Sequence, residues 1–335
     1  MNPWIIIFPP SIGDAICASA TLNRIVLKYA KINLNIVCSA IMKNLFAGLE
    51  NVKQVYTYTE IKEIQVLDNH EWLIDLFSDD DSFSLYKNIT YNNFVSRDPA
   101  HQEKYLVNGD SFSVGIFMKG ATGRSGNPNE PAWMLEAPLV AHILKQDYWK
   151  WLDEDYEPFF KFKQTIKESI KDADSYDVII APCGSFGLKK WPEKNWVAFS
   201  EWLINHNYKV AVILGPLEYK EYGELRKLTK LDLYINKDLI FISALFKKVK
   251  VVVANDCGPM HLAAACGSSV ISIFGPTNPQ IWFRYKKIKS LCLQEGAPEN
   301  EWGELRHLKD REWNRWPSSQ KLIESFLVFK KNNYE

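Results

Sequence analysis

Three short segments carry residue types and spacings that can do chemistry. The first is Ser11-Ile12-Gly13-Asp14, directly after an apolar run. Gly13 allows a sharp turn, and Asp14 then stands where a helix begins. A carboxylate there has two readings: a helix cap that accepts orphan amides, or a general base at the carboxyl end of a strand. The second is Ala181-Pro182-Cys183-Gly184-Ser185, followed by Lys189-Lys190-Trp191-Pro192. A small-residue loop offers backbone N–H groups to an anion, and Lys189 can neutralise a diphosphate as a point charge. An ordinary strand-to-helix loop with exposed lysines is the alternative. The third is Asn255-Asp256-Cys257-Gly258-Pro259-Met260-His261, which runs into Leu262-Ala263-Ala264-Ala265 and is followed by Phe274-Gly275-Pro276-Thr277-Asn278-Pro279. A strand that ends in a polar turn and opens into a small-residue helix aims amides and the positive dipole end at a phosphate. Asp256 cannot favour that phosphate itself, so its expected role is to accept hydrogen bonds from sugar hydroxyls. His261, one turn in, faces either the diphosphate or the core.

The elements that must position these segments follow from hydrophobic patterning. Continuous apolar runs at 4–8, 34–38 and 72–76 read as buried parallel strands, with an amphipathic helix over 14–29 between the first two. The pattern weakens over 78–130, where the Gly- and Asn-rich stretch 120–129 reads as a long loop, and a helix over 132–145 closes this half. After a mixed stretch over 148–174, taken as the linker, the alternation resumes. Strands are expected at 177–181, 209–214, 249–254 and 269–274. Helices are expected at 193–206, 218–229, 239–246, 258–266 and 318–329. Two successive doubly wound α/β units are the result, with a crevice at the strands' carboxyl ends. The domains are set at 1–160 and 175–315, with 316–335 as a C-terminal helix packing back on the first domain.

Composition bounds the function. The chain has 335 residues, 47% of them hydrophobic, and a formal charge of zero, enough for two domains with sizeable cores. The charge is unevenly spread: 13 basic and 20 acidic residues lie in 1–160, 27 basic and 20 acidic in 161–335. A basic second half suits an anionic ligand such as a nucleotide diphosphate. With a pI near 7.0 and no basic stripe, nucleic acid is excluded as a partner. The six cysteines form no CxxC pair, so neither a zinc knuckle nor a disulfide framework is expected. The start lacks a basic flank and meets Pro9-Pro10 early, which argues against a signal peptide, and no apolar run reaches membrane-spanning length. A cytoplasmic location is the expectation.

Together these segments resemble the ADP-heptose lipopolysaccharide heptosyltransferases, glycosyltransferase family 9. The similarity extends from the first strand to about residue 285 and is most specific at 255–265 and 274–279. The resemblance implies the GT-B fold, two Rossmann-like domains facing across a cleft, with the acceptor on the first domain and the donor on the second. By position, Asp14 matches the catalytic base and Lys189 the lysine near the donor phosphate and sugar. Glu218, after Gly215-Pro216, matches the acid that accepts from the ribose hydroxyls. Asp256, Cys257, Gly258 and His261 occupy the donor-binding turn. An inverting reaction with no metal and no cofactor is implied, moving heptose from ADP-heptose to a glycan or glycolipid acceptor, with room for peripheral contact at the cytoplasmic face of the inner membrane. The chain departs from the family at three places: Ala181-Pro182-Cys183-Gly184 in the second loop, Cys257 in place of a Ser or Thr hydroxyl, and Phe8-Pro9-Pro10 in place of a lysine-containing turn. The acidic first half fits a neutral acceptor, an outer sugar or a protein side chain, better than a phosphorylated one, unless Arg97, Lys104, Lys119 or Arg124 line the cleft. Two other functions keep the same architecture: a nucleotide-sugar epimerase and a non-catalytic nucleotide-sugar-binding protein.

Overall fold

The computed structural model describes residues 2–65, 67–77, 83–86, 88–96, 137–146, 156–171, 173–185, 187–296 and 313–334. The loop expected at 120–129, residues 148–155 and 172 of the linker stretch, and the basic residues Arg97, Lys104, Lys119 and Arg124 lie outside these. The described chain falls into two compact units, divided between Ile166 and Lys167.

In the first unit five strands, β1 (Trp4–Ile7), β2 (Leu34–Cys38), β3 (Val52–Thr57), β4 (Leu67–Asp75) and β5 (Ile89–Ser96), form one parallel sheet in the order β3-β2-β1-β4-β5. β1 is central and fully buried because Trp-Ile-Ile-Ile is apolar on both faces. The chain builds outward through β2 and β3, then returns to the other side of β1. The sheet's topological switch point therefore lies between β1 and β4.

The second unit repeats the device. β6 (Val178–Ala181), β7 (Val210–Leu214), β8 (Asp232–Ile235), β9 (Val251–Asn255), β10 (Ser269–Phe274) and β11 (Ser290–Gln294) lie parallel in the order β11-β10-β9-β6-β7-β8. Here the switch point falls between β6 and β9. Loops leaving the carboxyl ends of two strands on either side of such a point diverge and leave a crevice. The core is continuous beneath it, with Val178, Ile180, Val251, Val253 and Ile271 from the sheet against Trp191, Trp196 and Phe199.

Several expectations are corrected. The helix 14–29 is two helices, Ile12–Ala18 and Ala20–Lys28. They part at Ser19, whose hydroxyl bonds back to the Ile16 carbonyl at 2.6 Å and competes with the backbone ladder. The helix 218–229 shrinks to Pro216–Glu221 and a 3₁₀ turn at Leu225–Lys227, on either side of Gly223. Of the helix expected at 132–145, Ala137–Leu144 is helical, and 132–136 lie outside the described residues. The C-terminal helix, Ser319–Tyr334, buries Leu322, Phe326 and Phe329 in the second unit's core, where Phe326 meets the ring of Phe199 at 5.9 Å. Its apolar face, spaced at i, i+4 and i+7, matches the helix Glu193–Asn205.

Candidate functional site

β9 is buried throughout and ends at Asn255. The chain then turns through Asp256 and Cys257 into the helix Gly258–Ala265, with Cys257 as N-cap and Pro259 in the first turn, where its missing N–H costs nothing. Ala263, Ala264 and Ala265 are all buried, so small side chains let this helix lie close on the sheet.

Asp256 is 1% exposed. A buried carboxylate is costly unless paired, and two partners converge on it. Lys189 Nζ lies 2.7 Å from Asp256 Oδ2, and the Thr277 hydroxyl donates to the same oxygen at 2.7 Å. The three residues leave adjacent strands: Lys189 ends the 3₁₀ turn Gly187–Lys189 after β6, Asp256 follows β9, and Thr277 follows β10. The pair Lys189–Asp256 thus bridges the switch point. Lys189 Nζ also stands 5.5 Å from the Trp282 ring centre. His261 is buried; its Nδ1 lies 2.6 Å from the Tyr285 hydroxyl and its ring centre 6.1 Å from that of Trp282.

The expected donor residues divide accordingly. Lys189 and Asp256 are in contact, Cys257 and Gly258 continue from Asp256 at the helix start, and the Trp282 ring is near both Lys189 and His261. Glu218 sits in the first turn of the helix Pro216–Glu221, at the end of β7. Its Oε1 takes the Gly184 amide at 3.5 Å, and its Oε2 lies 2.6 Å from where a β-carbon on Gly215 would be. It therefore borders the second loop rather than the Lys189–Asp256 pair. Cys257 and Cys183 are held as neutral thiols: burial raises both, Cys183 to about 12, and the Glu218 carboxylate adds to the rise at Cys183. Neither puts a thiolate in the path of an anion.

Asp14 is in the first unit, at the end of β1 and beside that sheet's own switch point. The capping alternative for it is not what is found. Ser11 is the N-cap: its Oγ accepts the Asp14 amide at 3.2 Å and donates to Asp14 Oδ2 at 2.6 Å. Asp14 is thereby oriented by Ser11 while remaining exposed. Tyr58 donates to the Phe8 carbonyl at 2.5 Å and fastens the strand end just before this turn.

Four residues of the site were not singled out from sequence: Asn255, Thr277, Trp282 and Tyr285. Thr277 lies inside a segment already noted for its turn residues, whereas Trp282 and Tyr285 have no motif to mark them. Among the described residues, no group of three or more His, Cys, Asp or Glu is placed to hold a metal ion, and no helix is long and apolar enough to cross a membrane.

The family model Glycosyltransferase family 9 (heptosyltransferase) matches residues 146–308, the stretch that holds Lys189, Asp256 and His261. Over these residues the chain is similar to glycosyltransferase family 9 and to heptosyltransferases. Lipooligosaccharide heptosyltransferase 2 of Haemophilus influenzae is 33% identical over 109 residues, covering 30% of this chain and 31% of that protein. The chain therefore matches about a third of that relative's length. Among solved structures, a glycosyl transferase family 9 protein from Veillonella parvula superposes with a TM-score of 0.76 at 11% identity, covering 99% of this chain and 98% of that one. The E. coli heptosyltransferase WaaC with ADP-2-deoxy-2-fluoro heptose gives 0.70 at 14% identity, covering 97% and 99%. These likenesses fix the fold of the family 9-like chain as α/β of the GT-B class.

Proposed function

We propose that this chain is an inverting glycosyltransferase that moves heptose from ADP-heptose to a hydroxyl of a lipopolysaccharide-type glycan precursor, without a metal ion. The observation that carries this reading is the Lys189–Asp256–Thr277 cluster at the start of the helix Gly258–Ala265, across the switch point of the second sheet. Amides of the 256–258 turn and the helix dipole favour a diphosphate, and Lys189 supplies the full positive charge beside it. Asp256, its own charge offset by Lys189, accepts from sugar hydroxyls. His261 borders the same turn, and Glu218 accepts from the ribose. In the reaction the Asp14 carboxylate takes the proton of the acceptor hydroxyl. The acceptor oxygen forms its bond to the anomeric carbon on the face opposite the leaving group. The carbon–oxygen bond to the diphosphate breaks, and ADP leaves with the electron pair, its added charge met by Lys189 and the helix amides. One displacement inverts the anomeric centre.

The lipopolysaccharide-type acceptor places the enzyme at the cytoplasmic face of the membrane that carries it. The acidic surplus of residues 1–160 favours an acceptor region poor in phosphate. The deciding experiment incubates the protein with ADP-heptose and a truncated lipopolysaccharide core, with and without EDTA, and follows product mass and anomeric configuration. An inverted heptoside formed equally in both is expected. Isomerised donor without acceptor, or activity abolished by EDTA, would overturn the reading. Asp14→Asn should retain ADP affinity and lose at least ~100-fold in turnover, as removal of a general base requires.

A further inference from the structure

Asn255 is fully buried, and its amide group makes three hydrogen bonds to one loop. Oδ1 accepts the Trp191 amide at 3.2 Å; Nδ2 donates to the Pro182 carbonyl at 2.9 Å and to the Cys183 carbonyl at 3.1 Å. The loop that runs from β6 to the helix Glu193–Asn205 is therefore gripped at its first residues and at its last, and Lys189 lies between the two grips. The next residue in the chain, Asp256, holds Lys189 itself at 2.7 Å.

We propose that Asn255 is a positioning residue, which fixes where Lys189 presents its charge; this rests on the donor-site reading above. Its amide offers one acceptor and two donors in one plane, and the loop presents one N–H and two carbonyls to it. Among similarly sized side chains, Asp replaces the two donors with an acceptor facing carbonyl oxygens, and Leu leaves three buried backbone groups without partners. None of these side-chain bonds goes to another element, so losing them releases the loop and leaves the sheet ladder of β9 in place.

A double-mutant cycle on the full chain, read as ADP affinity by calorimetry, separates this role from a general contribution to folding. Lys189→Ala, Asn255→Ala and the double variant are compared with wild type. Asn255→Ala should weaken ADP about tenfold in the wild-type background, the scale of one well-placed charged hydrogen bond. In the Lys189→Ala background its further effect should fall below about twofold, because the group it positions is gone. Equal losses in both backgrounds would overturn the proposal. Asn255→Asp keeps the shape and one acceptor, and it should show the same loss as Asn255→Ala; wild-type affinity in Asn255→Asp would also overturn it. Should Asn255→Ala not fold, Asn255→Ser carries the cycle. Failure of the donor-site reading looks different: ADP then fails to bind wild type, or Lys189→Ala binds it unchanged.

Discussion

Lys189 Nζ and Asp256 Oδ2 lie 2.7 Å apart, joining loops that leave β6 and β9 on opposite sides of the second sheet's switch point. An anion site that contains a buried carboxylate needs this arrangement. Without Lys189 and the Thr277 hydroxyl, the Asp256 charge would repel a diphosphate arriving at the helix start. In the proposed donor site the pair offsets the Asp256 charge, so that the turn amides and Lys189 together can receive the diphosphate.

The first prediction separates the two sides of that pair. Asp256→Asn removes the negative charge and keeps the shape. Calorimetry should find ADP bound at least as tightly as by wild type, because the carboxylate that competes with phosphate for Lys189 is gone. The preference for the sugar nucleotide over ADP should drop by about tenfold, the scale of one charge-assisted hydrogen bond to a hydroxyl. A loss of ADP affinity itself would make Asp256 a scaffold for Lys189 rather than a ligand of the sugar.

Gly275 supplies a second prediction. A β-carbon there would come within 2.3 Å of the Leu188 carbonyl oxygen and 2.8 Å of the Trp316 ring. Leu188 precedes Lys189, so the backbone after β10 touches the backbone that carries the lysine. Gly275→Ala must push these loops apart or shift the Trp316 ring. Urea unfolding should show a loss of about 1–3 kcal/mol, the usual cost of overpacking, together with weaker ADP binding. Wild-type stability would mean that the loops yield freely.

Much of this was legible in the sequence, and the parts that were not share a cause. β1, β6 and β9 lie at or beside the centres of their sheets, and their apolar runs betray burial on both faces. β3 and β8 lie at sheet edges, where half the side chains meet solvent, and their mixed sequences give no such run. Asp256 and Lys189 stood out because charged residues flanked turns beside small residues. Asn255 did not, since an amide at the end of a strand looks like any turn residue until its three partners, 64 to 73 positions earlier, are seen. The same holds for Trp282 and Tyr285, whose place beside Lys189 and His261 is set by the path of the chain after β10.

Cys257 leads to a third prediction. As N-cap of the helix Gly258–Ala265 it presents a thiol, a poor acceptor, to the Met260 amide, where a hydroxyl would accept well. Cys257→Ser should raise stability by about 1 kcal/mol in chemical denaturation. Because burial holds the wild-type thiol well above its usual range, iodoacetamide at neutral pH should label Cys257 far more slowly than a free cysteine. Rapid labelling would show that the turn opens.

The last prediction concerns the first unit, where Glu60 supports the end of β1 from a distance. Glu60 closes a capping box at the start of the helix Tyr58–Glu63: Thr57 Oγ1 accepts the Glu60 amide at 3.2 Å and Glu60 Oε2 accepts the Thr57 amide at 2.8 Å. Lys43 pairs with its other oxygen. The Lys43 hydrogen bond first, then the Thr57 amide, lower the Glu60 carboxyl from 4.5 to about 2. A carboxyl lowered in the folded state contributes stability that is fully present above pH 4.5 and lost as pH falls from there through about 2. Glu60→Gln preserves the acceptor of the capping box and removes only the charge. Its melting temperature should fall below that of wild type at pH 6–7, and the gap should close as the pH approaches 2. About 0.5 M salt should narrow the gap at neutral pH, since this pair is exposed to screening. Because Tyr58, the first residue of that helix, holds the Phe8 carbonyl ahead of the Ser11–Asp14 turn, any loosening in Glu60→Gln should also appear as faster amide exchange at Ser11–Asp14. A gap that stays constant with pH would locate the effect in the helix cap rather than in the ion pair.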